Sequence, residues 1–466
     1  VNDRARLVLA GLSGGAGKTI VSLGICRALA AAGLRVRPFK KGPDYIDAAW
    51  LGLAAGRDAA NLDPFLFPPS RLAPLFLEKS RGVDLSLVEG NRGLFDGLDV
   101  DGTCATSALA RTLAAPVVLI LDATKMTRTA AAIVAGVAAF EPGLSLAGVI
   151  VNRTGGERHR AIVRECIESL AGVPVLGTLP RLADNPIPER HMGLVSNREH
   201  GAVDAILDGL ADVIRRHVDL DRLVTIARSA PPLPGPDEDR PGPPPAPAGG
   251  RPVIGVVRDA ALWFYYPENL EALARAGAEL VSLSLLEAAP WPDLDGLYLG
   301  GGFPETQAEA LAANTAVRDR VRTLAETGLP IYAECGGFMY LCQALELDGA
   351  SYPMAGVFPL ATHLCARPQG LGYSRATVDR PNPFHPVGTV LSGHEFHYSK
   401  CLPALETAPG PDRFCLAMER GVGMLAGRDG LLHGKTFAAY THIHAEGAPH
   451  WAPRFVEAAS RYRERK

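Results

Sequence analysis

Near the start of the chain, Gly11-Leu12-Ser13-Gly14-Gly15-Ala16-Gly17-Lys18-Thr19 combines glycines, a lysine and a hydroxyl in an order that suits phosphate binding. The glycines let backbone N–H groups curl around phosphate oxygens, Lys18 would reach the β- and γ-phosphates of ATP, and Thr19 would bind Mg²⁺. The expected ATP contacts are Gly14, Gly15, Ala16, Gly17, Lys18 and Thr19. The opening glycine is Gly11, one step before the usual position, where Leu12 stands. Two segments supply carboxylates: Lys40-Lys41-Gly42-Pro43-Asp44-Tyr45-Ile46-Asp47, and residues 88–97, which carry Glu89 and Asp96. Mg²⁺ takes one or two carboxylates plus phosphate and water, so Asp44 and Glu89 are expected metal ligands beside Thr19. Lys41, Asp44, Tyr45, Asp47 and Asp96 are expected to order a substrate loop.

A second chemistry is written at Pro330-Ile331-Tyr332-Ala333-Glu334-Cys335-Gly336-Gly337: a short apolar stretch, a cysteine and two glycines before a helical pattern. That is the form of a nucleophile elbow, whose helix N-terminus favours thiolate over thiol. Leu299-Gly300-Gly301-Gly302 also follows a strand pattern, and the backbone N–H groups of Gly301, Gly302 and Gly336 would form an oxyanion hole. A thiol needs a base, and Tyr440-Thr441-His442-Ile443-His444-Ala445-Glu446 offers His442 or His444, alternating onto one face. His394 and His397 form a second polar cluster. The remaining seven cysteines are expected to be small buried hydrophobes.

These residues must be held by ordered elements. The 466 residues are 47% hydrophobic and 21% charged, with a net charge of −3, which excludes a disordered chain and gives no basic excess for nucleic acid. The apolar stretch 113–121 is far too short to cross a bilayer. A soluble cytoplasmic protein without membrane or nucleic-acid partners is expected. Strands are predicted over 7–10, 36–39, 84–88, 117–121 and 149–151, alternating with helices over 18–32, 129–140 and 157–170, the pattern of a parallel α/β sheet. A Pro/Gly-rich stretch without apolar periodicity marks a linker over 230–251, separating domains at 1–229 and 252–466. Beyond it, strands are predicted over 253–257, 280–283, 296–299 and 330–333, with helices over 268–276 and 305–326, and a more β-like segment from 354.

With these residues in hand, the chain resembles the cobyrinic acid a,c-diamide synthase family, ATP- and glutamine-dependent amidases of tetrapyrroles. The stretches that carry the resemblance are the loop 11–19, KKGPDYID from Lys40, VEGNRGLFDG from Val88, Asn152-Arg153, ERHMGLV from Glu189, RDAALWFYYPENL from Arg258, YLGGGFPE from Tyr298, AECGGFMYL from Ala333, GHEFHYS from Gly393 and YTHIH from Tyr440. The early opening glycine is similar to that of the dethiobiotin synthetase group. Ser13 stands where partitioning ATPases carry a second lysine. The resemblance implies a dethiobiotin-synthetase-like ATP domain followed by a class I glutamine amidotransferase domain of the triad type. In that domain Cys335 would be the nucleophile and His442 the base. The wider class has His-x-Glu, whereas here the glutamate position is His444, and Glu446 is a weak substitute.

The chemistry so implied has two halves. Cys335 would release ammonia from glutamine, and the N-terminal domain would phosphorylate a substrate carboxylate to an acyl phosphate that ammonia converts to an amide, with a shielded route for the ammonia. The expected substrates are cobyrinic or hydrogenobyrinic acid, with sirohydrochlorin, its nickel form or sirohaem as alternatives. Lys40, Lys41, Arg92, Phe264, Tyr265 and Tyr266 are available to a polycarboxylate macrocycle. A homodimer is among the expected states. A partitioning ATPase without amidase activity would leave Cys335 unexplained, and an ATP-independent hydrolase would leave Lys18 and Thr19 unexplained.

Overall fold

A computed structural model of the chain describes residues 4–182, 187, 189–190, 193–194, 203–233, 250–288, 290–403 and 410–466. Most of the expected linker, 234–249, lies outside the described residues, as do His191, Met192 and Val195 of the stretch from Glu189. Contacts divide the chain into two units: Val1–Pro64 with Pro68–Asp239, and Phe65–Phe67 with Arg240–Lys466.

The first unit alternates strand and helix: β1 (Arg6–Gly11), α1 (Lys18–Ala31), β2 (Val36–Lys41), α2 (Tyr45–Ala55), β3 (Ala60–Leu62), α3 (Pro69–Lys79), β4 (Leu85–Gly93), α4 (Thr106–Thr112), β5 (Val117–Asp122), α5 (Arg128–Phe140), β6 (Leu146–Thr154), α6 (Glu157–Cys166) and β7 (Val175–Pro180). A small hairpin of β8 (Glu189–Arg190) and β9 (Gly193–Leu194) and two helices, α7 (Val203–His217) and α8 (Leu220–Arg228), complete it. The seven main strands form one sheet in the order β3-β2-β4-β1-β5-β6-β7, parallel throughout. Strands such as RLVLAG in β1 and VVLIL in β5 are apolar without alternation because helices cover both faces of a parallel sheet. β3 and β7 escape sequence patterning because the first has three residues and the second interrupts its apolar run with Gly177 and Thr178. The helix predicted to 170 gives way at Ile167 to a single π turn closed by Gly172 in the left-handed conformation.

The second unit begins with β10 (Val253–Val257), β11 (Leu262–Phe264), α9 (Pro267–Arg275), β12 (Glu279–Leu283), β13 (Gly296–Leu299) and β14 (Gly301–Gly302). Next come α10 (Ala308–Ala313), α11 (Thr315–Glu326), β15 (Ile331–Glu334) and α12 (Gly336–Leu341). The β-rich remainder comprises β16 (Cys342–Leu347), β17 (Ala350–Pro353), β18 (Phe358–Leu364), β19 (Gly370–Val378), β20 (Val390–His397), β21 (Ser399–Pro403), β22 (Phe414–Arg420), β23 (Arg428–His433), β24 (Thr436–Ala439) and β25 (His442–Ile443), closed by α13 (Trp451–Arg463). Ten strands make one sheet, β12-β10-β13-β15-β24-β23-β22-β19-β20-β25. Its first half is parallel and the half from β24 onward antiparallel. A four-stranded sheet, β17-β16-β18-β21, stands beside it.

The pleat divides the buried side chains of this unit between two clusters. Leu297, Leu299, Ile331, Ala333 and Ala438 join one, while Tyr298, Tyr332, Phe437 and Ala439 join the other with Trp451 and Phe455. The single helix predicted over 305–326 is instead a 3₁₀ turn (Pro304–Gln307), α10 and α11. Asn314, between the two helices, leaves the helical region at ψ 66 and donates its side-chain amide to Leu285 O at 2.8 Å.

Candidate active sites

In the first unit the glycine-rich loop leaves β1 and enters α1 through Gly17, whose φ of 88° is left-handed. A Cβ on Gly17 would stand 2.3 Å from Asn152 Nδ2, so this position requires glycine. Asn152, near the end of β6, donates Nδ2 to Ala16 O at 3.1 Å and braces the loop from below. Lys18 donates Nζ to Ser13 O at 2.8 Å, and burial together with the charge of Lys40 holds its pKa below the usual lysine value.

Beside the loop lies a buried charge cluster. Lys40 Nζ, at the end of β2, meets Glu89 Oε1 at 2.5 Å and Asp47 Oδ2 at 2.6 Å. Thr19 donates Oγ1 to the same Glu89 oxygen at 3.1 Å. Glu89 is fully buried inside β4 and Lys40 is 3% exposed. Burial alone would lower the Lys40 pKa, but Asp47, Glu89 and Asp44 outweigh it and keep the ammonium charged. Glu89 Oε2 is buried and has no hydrogen-bond partner among the described residues.

The expected carboxylates are thus divided. Asp44 caps α2, its Oδ1 accepting from Asp47 N at 2.9 Å, and burial beside Asp47 raises its carboxyl to about 7. Asp47, rather than Asp44, is linked to Glu89 through Lys40. Asp96 Oδ2 accepts from Gly93 N at 2.9 Å and so closes the turn after β4. Lys41 is buried, with its pKa lowered by that burial, and Tyr45 is the first residue of α2. Asp122, at the end of β5, binds Thr124 and pairs with Arg153 at 2.6 Å. Thr19 Oγ1 and the unengaged oxygen of Glu89 make a donor set that fits Mg²⁺, which needs few protein ligands. No group of three or more His, Cys, Asp or Glu suited to a metal occurs among the described residues.

In the second unit Cys335 sits between β15 and α12 at φ 46°, ψ −99°, a positive φ for a residue with a side chain. Its N–H donates to Ala439 O at 2.7 Å, and Gly337 N donates to Gly300 O at 3.0 Å. A Cβ on Gly337 would stand 2.4 Å from Leu299 O, which explains the glycine there. Burial, with Glu305 and Glu334 adding to it, pushes the Cys335 thiol up against the opposing Gly336 N–H. The N-terminus of the six-residue α12 lies at the thiol and works against that burial.

Gly301 and Gly302 form β14, paired with β11. A Cβ on Gly336 would lie 2.9 Å from Gly302 N, and one on Gly301 would lie 2.5 Å from His442 Cε1, so elbow, glycine step and imidazole adjoin. The turn carrying His442 is fixed by Asp429, which accepts from Tyr440 N at 3.0 Å and Thr441 N at 2.9 Å. His442 stacks on His394 with ring centroids 4.9 Å apart, and its Nδ1 stands 3.6 Å from Glu334 Oε2.

The two candidate bases have different surroundings. His444 Nδ1 accepts from Glu446 N at 3.2 Å, which puts its proton on Nε2, 3.5 Å from Glu268 Oε2. Its ring is therefore committed to α9. His397 donates Nδ1 to Ser399 O at 2.7 Å and stacks on Tyr440. The aromatics considered for a macrocycle are built into the protein: Phe264 and Tyr266 are buried, and Tyr265 donates its hydroxyl to Val257 O at 2.6 Å while accepting from Gly300 N at 2.7 Å.

Sequence reading gave no site role to Asn152, Asp429, Glu268 or Glu334, and did not join Lys40 to Glu89 and Asp47. Only Asn152 had a local signal, as a polar residue directly after the apolar run 149–151.

Two family models match the chain: a CobQ/CobB/MinD/ParA nucleotide binding domain over residues 7–195 and a CobB/CobQ-like glutamine amidotransferase domain over 253–450. The cobyrinate a,c-diamide synthase of Magnetococcus marinus is 43% identical, covering 96% of this chain and 96% of its own. Those of Archaeoglobus fulgidus and Syntrophotalea carbinolica are 40% and 42% identical and cover 97–98% of both chains. A solved ParA family ATPase from Chlorobium tepidum, 15% identical, covers 49% of this chain and 98% of its own at a TM-score of 0.29. With two domain models in this order and near-full-length likeness at 40% identity and above, the chain belongs to the cobyrinate a,c-diamide synthase family.

Proposed function

We propose that the chain amidates the a and c carboxylates of cobyrinic or hydrogenobyrinic acid, using ATP and ammonia drawn from glutamine. The observation that carries this reading is the presence on one chain of both halves of the chemistry: a phosphate loop beside a buried Thr19–Glu89–Lys40 cluster, and a cysteine held at φ 46° on an elbow next to His442. On this reading residues 1–229 are the ligase domain, 230–251 a linker and 252–466 the amidotransferase domain.

In the amidotransferase half Cys335 attacks the glutamine carboxamide as thiolate, and the oxyanion is held by backbone N–H groups of Gly301, Gly302 and Gly336. His442 gives its proton to the departing ammonia, then takes one from the water that hydrolyses the thioester to glutamate. In the ligase half the loop from Gly14 to Thr19 cradles the triphosphate and Lys18 balances charge on the transferred phosphoryl group. A carboxylate is a poor electrophile at neutral pH, and its conversion to an acyl phosphate gives ammonia a centre to attack. Thr19 and Glu89 would hold Mg²⁺, whose chemistry is to offset phosphate charge. Lys40 bridges Glu89 and Asp47; Asp44 and Asp47 fix the start of α2, and Lys41, Tyr45 and, from the turn after β4, Asp96 would order the substrate loop. A cytosolic location goes with the supply of ATP and glutamine.

The test is a mass-spectrometric amidation assay with glutamine, ATP and Mg²⁺, offering cobyrinic acid, hydrogenobyrinic acid, sirohydrochlorin, its nickel form and sirohaem side by side. Two mass increments on a corrin support the assignment, and amidation confined to a sirohydrochlorin derivative overturns the substrate. Cys335→Ala should abolish glutamine-driven amidation and spare ammonia-driven amidation, while Lys18→Ala should abolish both and spare glutamate release. Loss of every activity in the Cys335 variant would refute separate centres.

A further inference from the structure

The position that carries glutamate in His-x-Glu amidotransferases is His444 here, and Glu446, two residues on, contributes a backbone N–H to His444. The place of an orienting carboxylate is filled from elsewhere. We propose that Glu334, the residue immediately before the nucleophile, is the positioning residue that orients His442 and holds its proton. The inference rests on the reading of Cys335 and His442 as the glutaminase pair.

The placement follows from the pleat. Along β15 side chains alternate, so Ile331 and Ala333 join one buried cluster, and Tyr332 joins the other. Glu334 continues on the Tyr332 side, under the turn that carries His442, while Cys335 leaves the strand toward the opposite cluster. The Glu334 carboxylate is fully buried and fixed at both oxygens. Oε1 accepts from Ile443 N at 3.2 Å, and Oε2 accepts from Tyr298 OH at 3.0 Å. The first of these bonds anchors the residue adjoining His442, so one side chain sets both the backbone and the ring. Oε2 is the oxygen that faces His442 Nδ1 at 3.6 Å, an ion-pair separation. His442 presents its Cε1–Nε2 edge to Gly301 in the glycine step beside the elbow.

This geometry selects a tautomer. A proton on Nδ1 faces the carboxylate, leaving Nε2 to take the thiol proton from Cys335 and later hand it to ammonia. When the imidazolium forms, Glu334 opposes its charge directly between two buried side chains. The titratable groups around this pair include His394 and His397 on β20, which face His442, and Tyr298, Tyr265, Tyr332 and Cys335, which face Glu334, while Glu305 in the 3₁₀ turn after β14 and Asp429 on β23 act on Cys335. Burial and the neighbouring imidazoles keep His394 well below the usual histidine range, so it adds no competing charge near neutrality.

The test uses the full chain and measures glutamate release from glutamine. Glu334→Gln keeps the size and an acceptor for Ile443 N but removes the charge. We expect kcat to fall by about 10²- to 10⁴-fold, the range seen when a triad carboxylate is neutralised, with KM for glutamine changed less than about threefold. The alkaline limb of the rate profile, where the imidazolium loses its proton, should move down by about 1–3 pH units. ATP-dependent amidation driven by added ammonia should stay at the parental rate. Tyr298→Phe, which removes the hydroxyl holding Oε2, gives a second readout, an expected kcat loss of about tenfold. An unchanged kcat and pH profile in Glu334→Gln, beside a dead Cys335→Ala, overturns the role of Glu334 alone. A lower kcat with the alkaline limb unmoved reduces Glu334 to a structural group and overturns it too. Glutamate release that survives in Cys335→Ala instead overturns the underlying glutaminase reading.

Discussion

Substitution of Gly301 by alanine isolates the contact between the glycine step and the base. A methyl group there would lie 2.5 Å from His442 Cε1 and 3.2 Å from Nε2, whereas ordinary contact begins at 3.4 Å. The ring must therefore retreat by about 0.9 Å, the difference between the two distances, or the backbone must shift by as much. Retreat also disturbs the stack on His394, whose ring centroid stands 4.9 Å away with the rings inclined by 20°. A misplacement of about 1 Å in a catalytic group costs about 10²-fold in rate. Overpacking of this kind costs about 1–3 kcal/mol of stability, which leaves the chain folded. The assay pairs glutamate release with ammonia-driven amidation in the same preparation. Glutamate release should fall about 100-fold, with amidation from ammonia unchanged and a melting temperature only a few degrees lower. Glutamate release within threefold of the parent in a folded Gly301→Ala protein would show that His442 does not need its position beside this step.

Two further outcomes test the ligase half. Asp44 has a folded pKa of about 7, above the ~3.9 of an unfolded chain, so the folded state binds the proton more tightly. Its contribution to stability is full below about pH 4 and is lost as pH rises toward 7. Asp44→Asn keeps an acceptor for Asp47 N but does not titrate. In Mg²⁺-free buffer it should match the parent near pH 4 and exceed it by up to about 4 kcal/mol at pH 8, read from urea unfolding, and a deficit at pH 8 would reverse the sign argued here. Asn152→Ala removes the 3.1 Å bond to Ala16 O and should raise KM for ATP by about tenfold, with glutamate release as the unaffected control.

The ligase loop was legible because its chemistry is local: strand, glycines, Lys18 and Thr19 are contiguous in sequence, and continuous apolar strands announce a parallel sheet. Glu89 and the segment from Lys40 were placed near it because both follow strands that end at the same sheet edge. Their division of labour was not legible. Whether Asp44 or Asp47 turns toward Lys40 depends on which of them caps α2, a choice the helix start makes in three dimensions. The cysteine elbow was likewise contiguous, yet His442 and His444 looked equivalent from alternation. Glu268 and Glu334 separate them, and they lie 176 and 108 positions away in the chain. The helix predicted over 305–326 failed at Asn314, whose amide finds a better partner in Leu285 O than the helix offers it.

The backbone at Cys335 bears on how stable the second unit can become. A residue with a side chain held at φ 46°, ψ −99° sits about 1–3 kcal/mol above a relaxed conformation. A domain's whole margin over unfolding is about 5–15 kcal/mol, so one residue claims a sizeable share of it. Glycine would relax the turn and abolish the thiol, while every residue that keeps a nucleophile there retains the strain. The fold therefore holds its reactive group in tension against its own durability, and the surrounding bonds from Ala439 and Gly300 are what keep the elbow from relaxing.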